Sequence, residues 1–157
     1  MAQPLLLPFL KLSLIKGIKM ALLNWFDKKA VELHPKALSN ITLKYILDTH
    51  HVLKRKLQDE MDGKSDEPLD ITQLSQDNLC KIGKWLYGEG KLLYGHLPEY
   101  EVARKVHADL HVCACEVLTQ HLIGDEVGAQ TLLKTKFRTI SSKNQIEFSR
   151  LFGAASA

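Results

Sequence analysis

Glu99-Tyr100-Glu101-Val102-Ala103-Arg104-Lys105-Val106-His107-Ala108-Asp109-Leu110-His111-Val112-Cys113-Ala114-Cys115-Glu116-Val117-Leu118 is the stretch on which the reading of the fold turns. Ala103, Val106, His107, Leu110, His111, Ala114, Val117 and Leu118 recur at three- and four-residue steps, which is the period of one helix face. The pattern predicts a long amphipathic helix from about Glu99 to Leu122, closed by the turn Gly124-Asp125. Two imidazoles, His107 and His111, fall on its inner stripe. Four residues apart on a helix, they sit one above the other, so both rings can address one point in space.

Outward from this helix, the same period recurs. Upstream, a block begins at Pro35, and Leu43, Ile46, Leu47, His50, Leu53, Leu57 and Met61 form its apolar stripe. His50 lies inside that stripe, while His51 is turned about 100° away. The polar run Asp62-Gly63-Lys64-Ser65-Asp66-Glu67-Pro68 reads as a loop. A second helix is expected from near Asp70, which can cap it, to about Tyr87, with Cys80 near its centre. Gly88, Gly90, Gly95 and Pro98 then predict a connection of little regular structure. Downstream, Val127 to Phe152 places Leu133, Phe137, Ile140, Phe148 and Leu151 on an inner face. No stretch reads as a strand. The expected fold is all-α, an antiparallel four-helix bundle over residues 36–153 behind an N-terminal extension, residues 1–35.

Composition sets the class. A chain of 157 residues with 45% hydrophobic and 25% charged content is long enough for one domain with a real core. The net charge of +3 is too small to point to nucleic acid, and Lys54-Arg55-Lys56 reads as a solvated helix face. Three cysteines, Cys80, Cys113 and Cys115, make a poor disulfide framework and fit a reducing, cytoplasmic setting. Cys113 and Cys115 point to nearly opposite sides of one helix and do not form a chelating pair.

In the extension, Lys11, Lys16 and Lys19 interrupt the apolar run from Pro4 to Phe26. No part of it reaches the roughly 18–20 uncharged residues of a membrane span. It also lacks the layout of a secretory signal. Two readings stand: residues 1–19 precede a true start at Met20, or the segment is an amphipathic helix with Trp25 and Phe26 free to touch a membrane or partner.

His50, Cys80, His107 and His111 together are three imidazoles and one thiol, a donor set suited to a closed tetrahedral Zn2+ site. A single histidine on an apolar face is more often a hydrogen-bonded core residue. Several polar rings buried together without partners would each cost a few kcal/mol, and a shared cation removes that cost. Glu116, Asp109 and Asp48 are candidate outer acceptors for the ring N–H groups. His34, His51, His96 and His121 lack such company and read as surface or loop residues.

The stretch Cys80-Lys81-Ile82-Gly83-Lys84-Trp85-Leu86-Tyr87-Gly88 resembles the signature of the chemoreceptor zinc-binding (CZB) domain family, in which a cysteine shortly precedes Gly-Lys-Trp. His50-His51-Val52-Leu53-Lys54 matches the family's first-helix His-x-x-Trp-Lys setting, with Leu53 in the tryptophan's place, and His107 and His111 match its His-x-x-x-His. The resemblance covers roughly residues 38–123. It implies a zinc-binding sensory or regulatory module rather than an enzyme, joined to chemoreceptors or diguanylate cyclases or standing alone, and often dimeric. It also implies bacterial chemotaxis or cyclic-di-GMP signalling, here in trans, with the zinc thiolate as an oxidant sensor. Cys115 is a candidate resolving thiol. Three rivals stand beside this reading: a hemerythrin-like iron or oxygen binder, a zinc hydrolase, and a helical interaction domain without metal.

Overall fold

The computed structural model describes residues 41–156. The expected N-terminal extension, with Met20, Trp25 and Phe26, lies outside them, as do His34 and Pro35. The described residues are helical, with no strand among them, as expected. Helix α1 spans Leu43–Met61, α2 Ile71–Ser75, α3 Lys81–Tyr87, α4 Glu89–Tyr94 and α5 Pro98–Leu122. α6, Glu126–Leu132, continues through a π-helical turn, Leu133–Phe137, into α7, Arg138–Ala154. None of these helices is long and apolar enough to cross a membrane.

Local chemistry sets the boundaries. Thr42 is extended and its hydroxyl accepts the Tyr45 N–H, so α1 begins at Leu43 among the described residues. α1 ends where Gly63 adopts φ +65°, and α5 where Gly124 adopts φ +84°. At both ends the following N–H bonds back to a carbonyl five residues earlier, Lys64 to Asp59 and Asp125 to Gln120. Glycine reaches this left-handed conformation without a Cβ clash. Pro98 opens α5 at a position where its missing N–H costs nothing.

The helix expected from Asp70 to Tyr87 is broken. Asp70 caps α2 by accepting the Thr72 N–H, but α2 stops at Ser75 and Gln76 is extended. Ser75-Gln76-Asp77-Asn78 is a run of polar side chains that compete with the helix for backbone groups. Cys80 is therefore not mid-helix. It is the N-cap of α3. The expected irregular connection after Gly88 instead contains α4, whose Tyr94 ring packs 5.8 Å from Trp85 and 5.9 Å from Phe152. Packing has overridden the local glycine signal there.

α5 is the central element and contacts α1, α2, α3, α6 and α7, while α1 also packs on α7. The arrangement is compatible with the expected four-helix bundle, its second rod divided into α2, α3 and α4. The apolar core falls into two clusters. One holds Ile46, Ile82, Trp85, Leu86, Tyr100, Ala103, Phe148 and Leu151. The other holds Leu57, Leu110, Cys113, Ala114, Val117, Leu118, Leu133 and Phe137. Along α1, His50 stands between Ile46 and Leu57, and along α5, His107 stands between Ala103 and Leu110. The histidines interrupt the core at matching heights on two helices.

Candidate metal centre

Three elements supply the four expected donors: α1 carries His50, the N-cap of α3 is Cys80, and α5 carries His107 and His111. His50, His107 and His111 are 2%, 1% and 6% exposed. All four line one cavity of about 340 Å3, walled by Thr49, Leu53, Leu69, Leu74 and Leu110 among others. Burial lowers both His50 and His107 from the ordinary 6.5 to about 4, assisted by the neighbouring rings. Both are therefore neutral near pH 7 and have a lone pair to offer.

The donors of Cys80, His107 and His111 lie within 4.8 Å of one another. Cys80 Sγ is 3.4 Å from His107 Nε2. Two ligands on one tetrahedral zinc, with Zn–S about 2.3 Å and Zn–N about 2.0 Å, stand about 3.5 Å apart. This pair is at ligand spacing; because His107 Nε2 also stands 3.2 Å from the Asp77 carbonyl, it serves zinc only as the tautomer protonated at Nδ1, in place of that hydrogen bond. The two rings of α5 meet edge to face with centroids 4.8 Å apart. His50 lines the same cavity but stands outside this close trio.

Hydrogen bonding divides the ring atoms into held and free. His111 Nδ1 is 2.7 Å from the Leu74 carbonyl, so it carries the proton and leaves Nε2 as the acceptor. His107 Nδ1 and both nitrogens of His50 are buried without a partner. A buried ring with two unmatched nitrogens costs free energy, and a cation on the lone-pair nitrogen would recover part of it. The orphaned nitrogens and the mixed sulfur–nitrogen donor set fit zinc. Burial pushes the Cys80 thiol up, and the N–H groups of Gly83 and Ile82 act in the opposite direction.

Gly83 explains part of the Cys-x-x-Gly pattern. A Cβ there would meet the Asp77 carbonyl oxygen at 1.7 Å and Asn78 Cα at 2.9 Å. Only glycine lets the loop between α2 and α3 lie on the first turn of α3. That contact brings the Asp77 carbonyl to 3.2 Å from His107 Nε2 and 3.5 Å from Cys80 Sγ. The Gly83 N–H in turn donates to Cys80 Sγ at 3.2 Å.

The outer contacts differ from those expected. Asp48 pairs with Lys44 on the surface, Glu116 pairs with Lys136, and Asp109 is exposed. The groups against the rings are the backbone carbonyls of Leu74 and Asp77. Every residue carries a carbonyl, so no side-chain signal marks these two in the sequence. His51 and His96 are exposed as read, and His121 pairs with Glu126 at 2.8 Å. Cys115 Sγ lies near the Ile71 carbonyl, at 3.9 Å. Lys54, Arg55 and Lys56 are exposed.

Residues 50–118 match the chemoreceptor zinc-binding domain family. The chemoreceptor zinc-binding match begins at His50 and ends at Leu118, so it takes in all four expected donors. It also takes in the Cys80-to-Trp85 signature and α5 through the middle of the second core cluster. Comparison with curated proteins and with solved structures returned no match.

Proposed function

We propose that this protein is a zinc-binding regulatory domain in which Cys80, His107 and His111 hold one Zn2+ and His50 completes the set. The observation that carries the reading is the 3.4 Å approach of Cys80 Sγ to His107 Nε2 inside a cavity edged by otherwise unpartnered imidazole nitrogens. Zinc bound there supplies a closed, redox-inert centre that ties α1, α3 and α5 together. The residues do the rest. The Leu74 carbonyl fixes the His111 ring, Gly83 N–H aims the Cys80 sulfur, and burial keeps the His107 ring neutral.

The proposed role is regulatory, not catalytic, since four protein donors leave no place for an activated water. Loss of the ion, or two-electron oxidation of the Cys80 thiolate by hypochlorous acid to a sulfenic acid with release of chloride, would untie these helices and bias a bacterial signalling partner. The family match favours a chemotaxis or cyclic-di-GMP pathway, a cytoplasmic setting and a homodimer. A hemerythrin-like iron centre is disfavoured because the close donor group contains a thiol and no carboxylate. Among the described residues, the one carboxylate lining the cavity, Asp70, is engaged in capping α2.

Metal quantification on the purified chain beside Cys80→Ala tests the reading. One zinc per wild-type chain and its loss from the variant are expected. Two irons per chain, or unchanged zinc in Cys80→Ala, would overturn it.

A further inference from the structure

Asp77 belongs to no ligand set, yet it touches the site with its backbone and the surface with its side chain. Its carbonyl faces both Cys80 Sγ and His107 Nε2, at 3.5 and 3.2 Å. Its carboxylate accepts the Tyr87 hydroxyl at 2.8 Å. Arg104 donates to the same hydroxyl at 3.4 Å and lies over the Tyr87 ring, 5.8 Å from its centroid. Arg104 is itself oriented by Glu101, with bonds of 3.0 and 2.8 Å.

The placement of these residues is what makes the cluster informative. Cys80 opens α3 and Tyr87 closes it, so the Asp77 loop is tied to both ends of one short helix. Arg104 precedes His107 on α5 by three residues, about one turn, so the same cluster is tied to the helix that carries two of the donors. Backbone bonds at the loop itself are few: Gln76 N–H to the Gln73 carbonyl at 3.2 Å, and Leu79 N–H to the Gln76 carbonyl at 3.0 Å. A polar loop with so little backbone support needs side chains to hold it in register.

Resting on the zinc reading above, we propose that the Tyr87–Asp77 hydrogen bond, steadied by Arg104, is a surface strap that positions Cys80 against His107 and slows the release of the metal. Asp77 and Tyr87 are positioning residues; neither donates to the ion. Because Tyr87 is 41% exposed, the strap also gives the outside of the molecule a handle on the site. Anything that engages the Tyr87 ring or the Arg104 guanidinium competes directly with the bond that holds the loop.

The test is the rate at which excess chelator removes zinc from the loaded protein. Tyr87→Phe keeps the ring and removes only the hydroxyl. It should still bind one zinc per chain and release it about three- to tenfold faster, the range set by one intramolecular hydrogen bond. Asp77→Ala should behave alike, while Asp77→Asn, which keeps an acceptor oxygen, should stay within about twofold of wild type on the same grounds. Tyr100→Phe is the control. It removes a buried hydroxyl that donates to the Leu86 carbonyl at 2.6 Å on α3, and so weakens the fold without touching the strap. It should leave the release rate unchanged. An unchanged rate in zinc-loaded Tyr87→Phe, or equal acceleration in Tyr100→Phe, overturns the strap alone. A wild-type chain without zinc overturns the metal reading and the strap with it.

Discussion

Replacing His50 by Leu should stabilise the metal-free protein while removing a proposed metal donor. His50 is 2% exposed and neither ring nitrogen has a partner. One nitrogen must carry a proton and the other a lone pair, and each unmatched group costs about 1–3 kcal/mol. Leucine fills a similar volume, with a repacking cost of up to about 1.5 kcal/mol. The net expectation, about 2–6 kcal/mol relieved less up to about 1.5 of repacking, is a gain of at least about 0.5 kcal/mol at pH 7 in the presence of chelator. The pH dependence sharpens it. Burial lowers His50 from 6.5 to about 4, so the unfolded chain takes up a proton through that window and the folded chain does not. Wild type therefore loses stability as the pH falls from 6.5 towards 4, by about 2 kcal/mol at pH 5 from this ring, at 1.36 kcal/mol per unit. His50→Leu lacks that loss, so its advantage should widen on acidification. Urea denaturation of chelated wild type and variant at pH 7 and pH 5 measures both quantities. If the variant is less stable than wild type at pH 7, or if the gap does not grow at pH 5, the ring is already satisfied and the argument for a missing cation at His50 fails.

Three other outcomes follow from the same geometry. Gly83→Ala puts a Cβ 1.7 Å from the Asp77 carbonyl oxygen, so the loop must move; zinc affinity should fall at least tenfold and urea stability by about 1–3 kcal/mol, read by chelator competition and denaturation. Trp85→Ala removes a ring stacked 5.8 Å from Phe152 at an interplanar angle of 12°, and should cost about 3–5 kcal/mol without changing zinc stoichiometry in the folded fraction. Removing zinc should speed amide exchange over residues 45–60, because α1 then loses the proposed tie of His50 to the α5 donors; equal exchange with and without metal would make the ion a passive staple.

The amino-acid order settled the helical class and the inner faces, because periodicity is a local property and a helix states its buried face in every turn. His50, His107 and His111 are buried where the stripes of α1 and α5 place them, and the Cys80-to-Trp85 signature announces the family match. What it could not state is how Cys80 is presented. Periodicity read 70–87 as one rod, but the polar run at Ser75–Asn78 breaks it, and the break turns a mid-helix thiol into an N-cap aimed at His107. Nor could it place the carbonyls of Leu74 and Asp77 on the rings, since a peptide carbonyl has no side-chain signature and its neighbours come from distant parts of the chain. Tertiary structure decided these contacts, and with them which nitrogens are held and which are left to bind an ion, because both depend on how three separately formed helices close on one another.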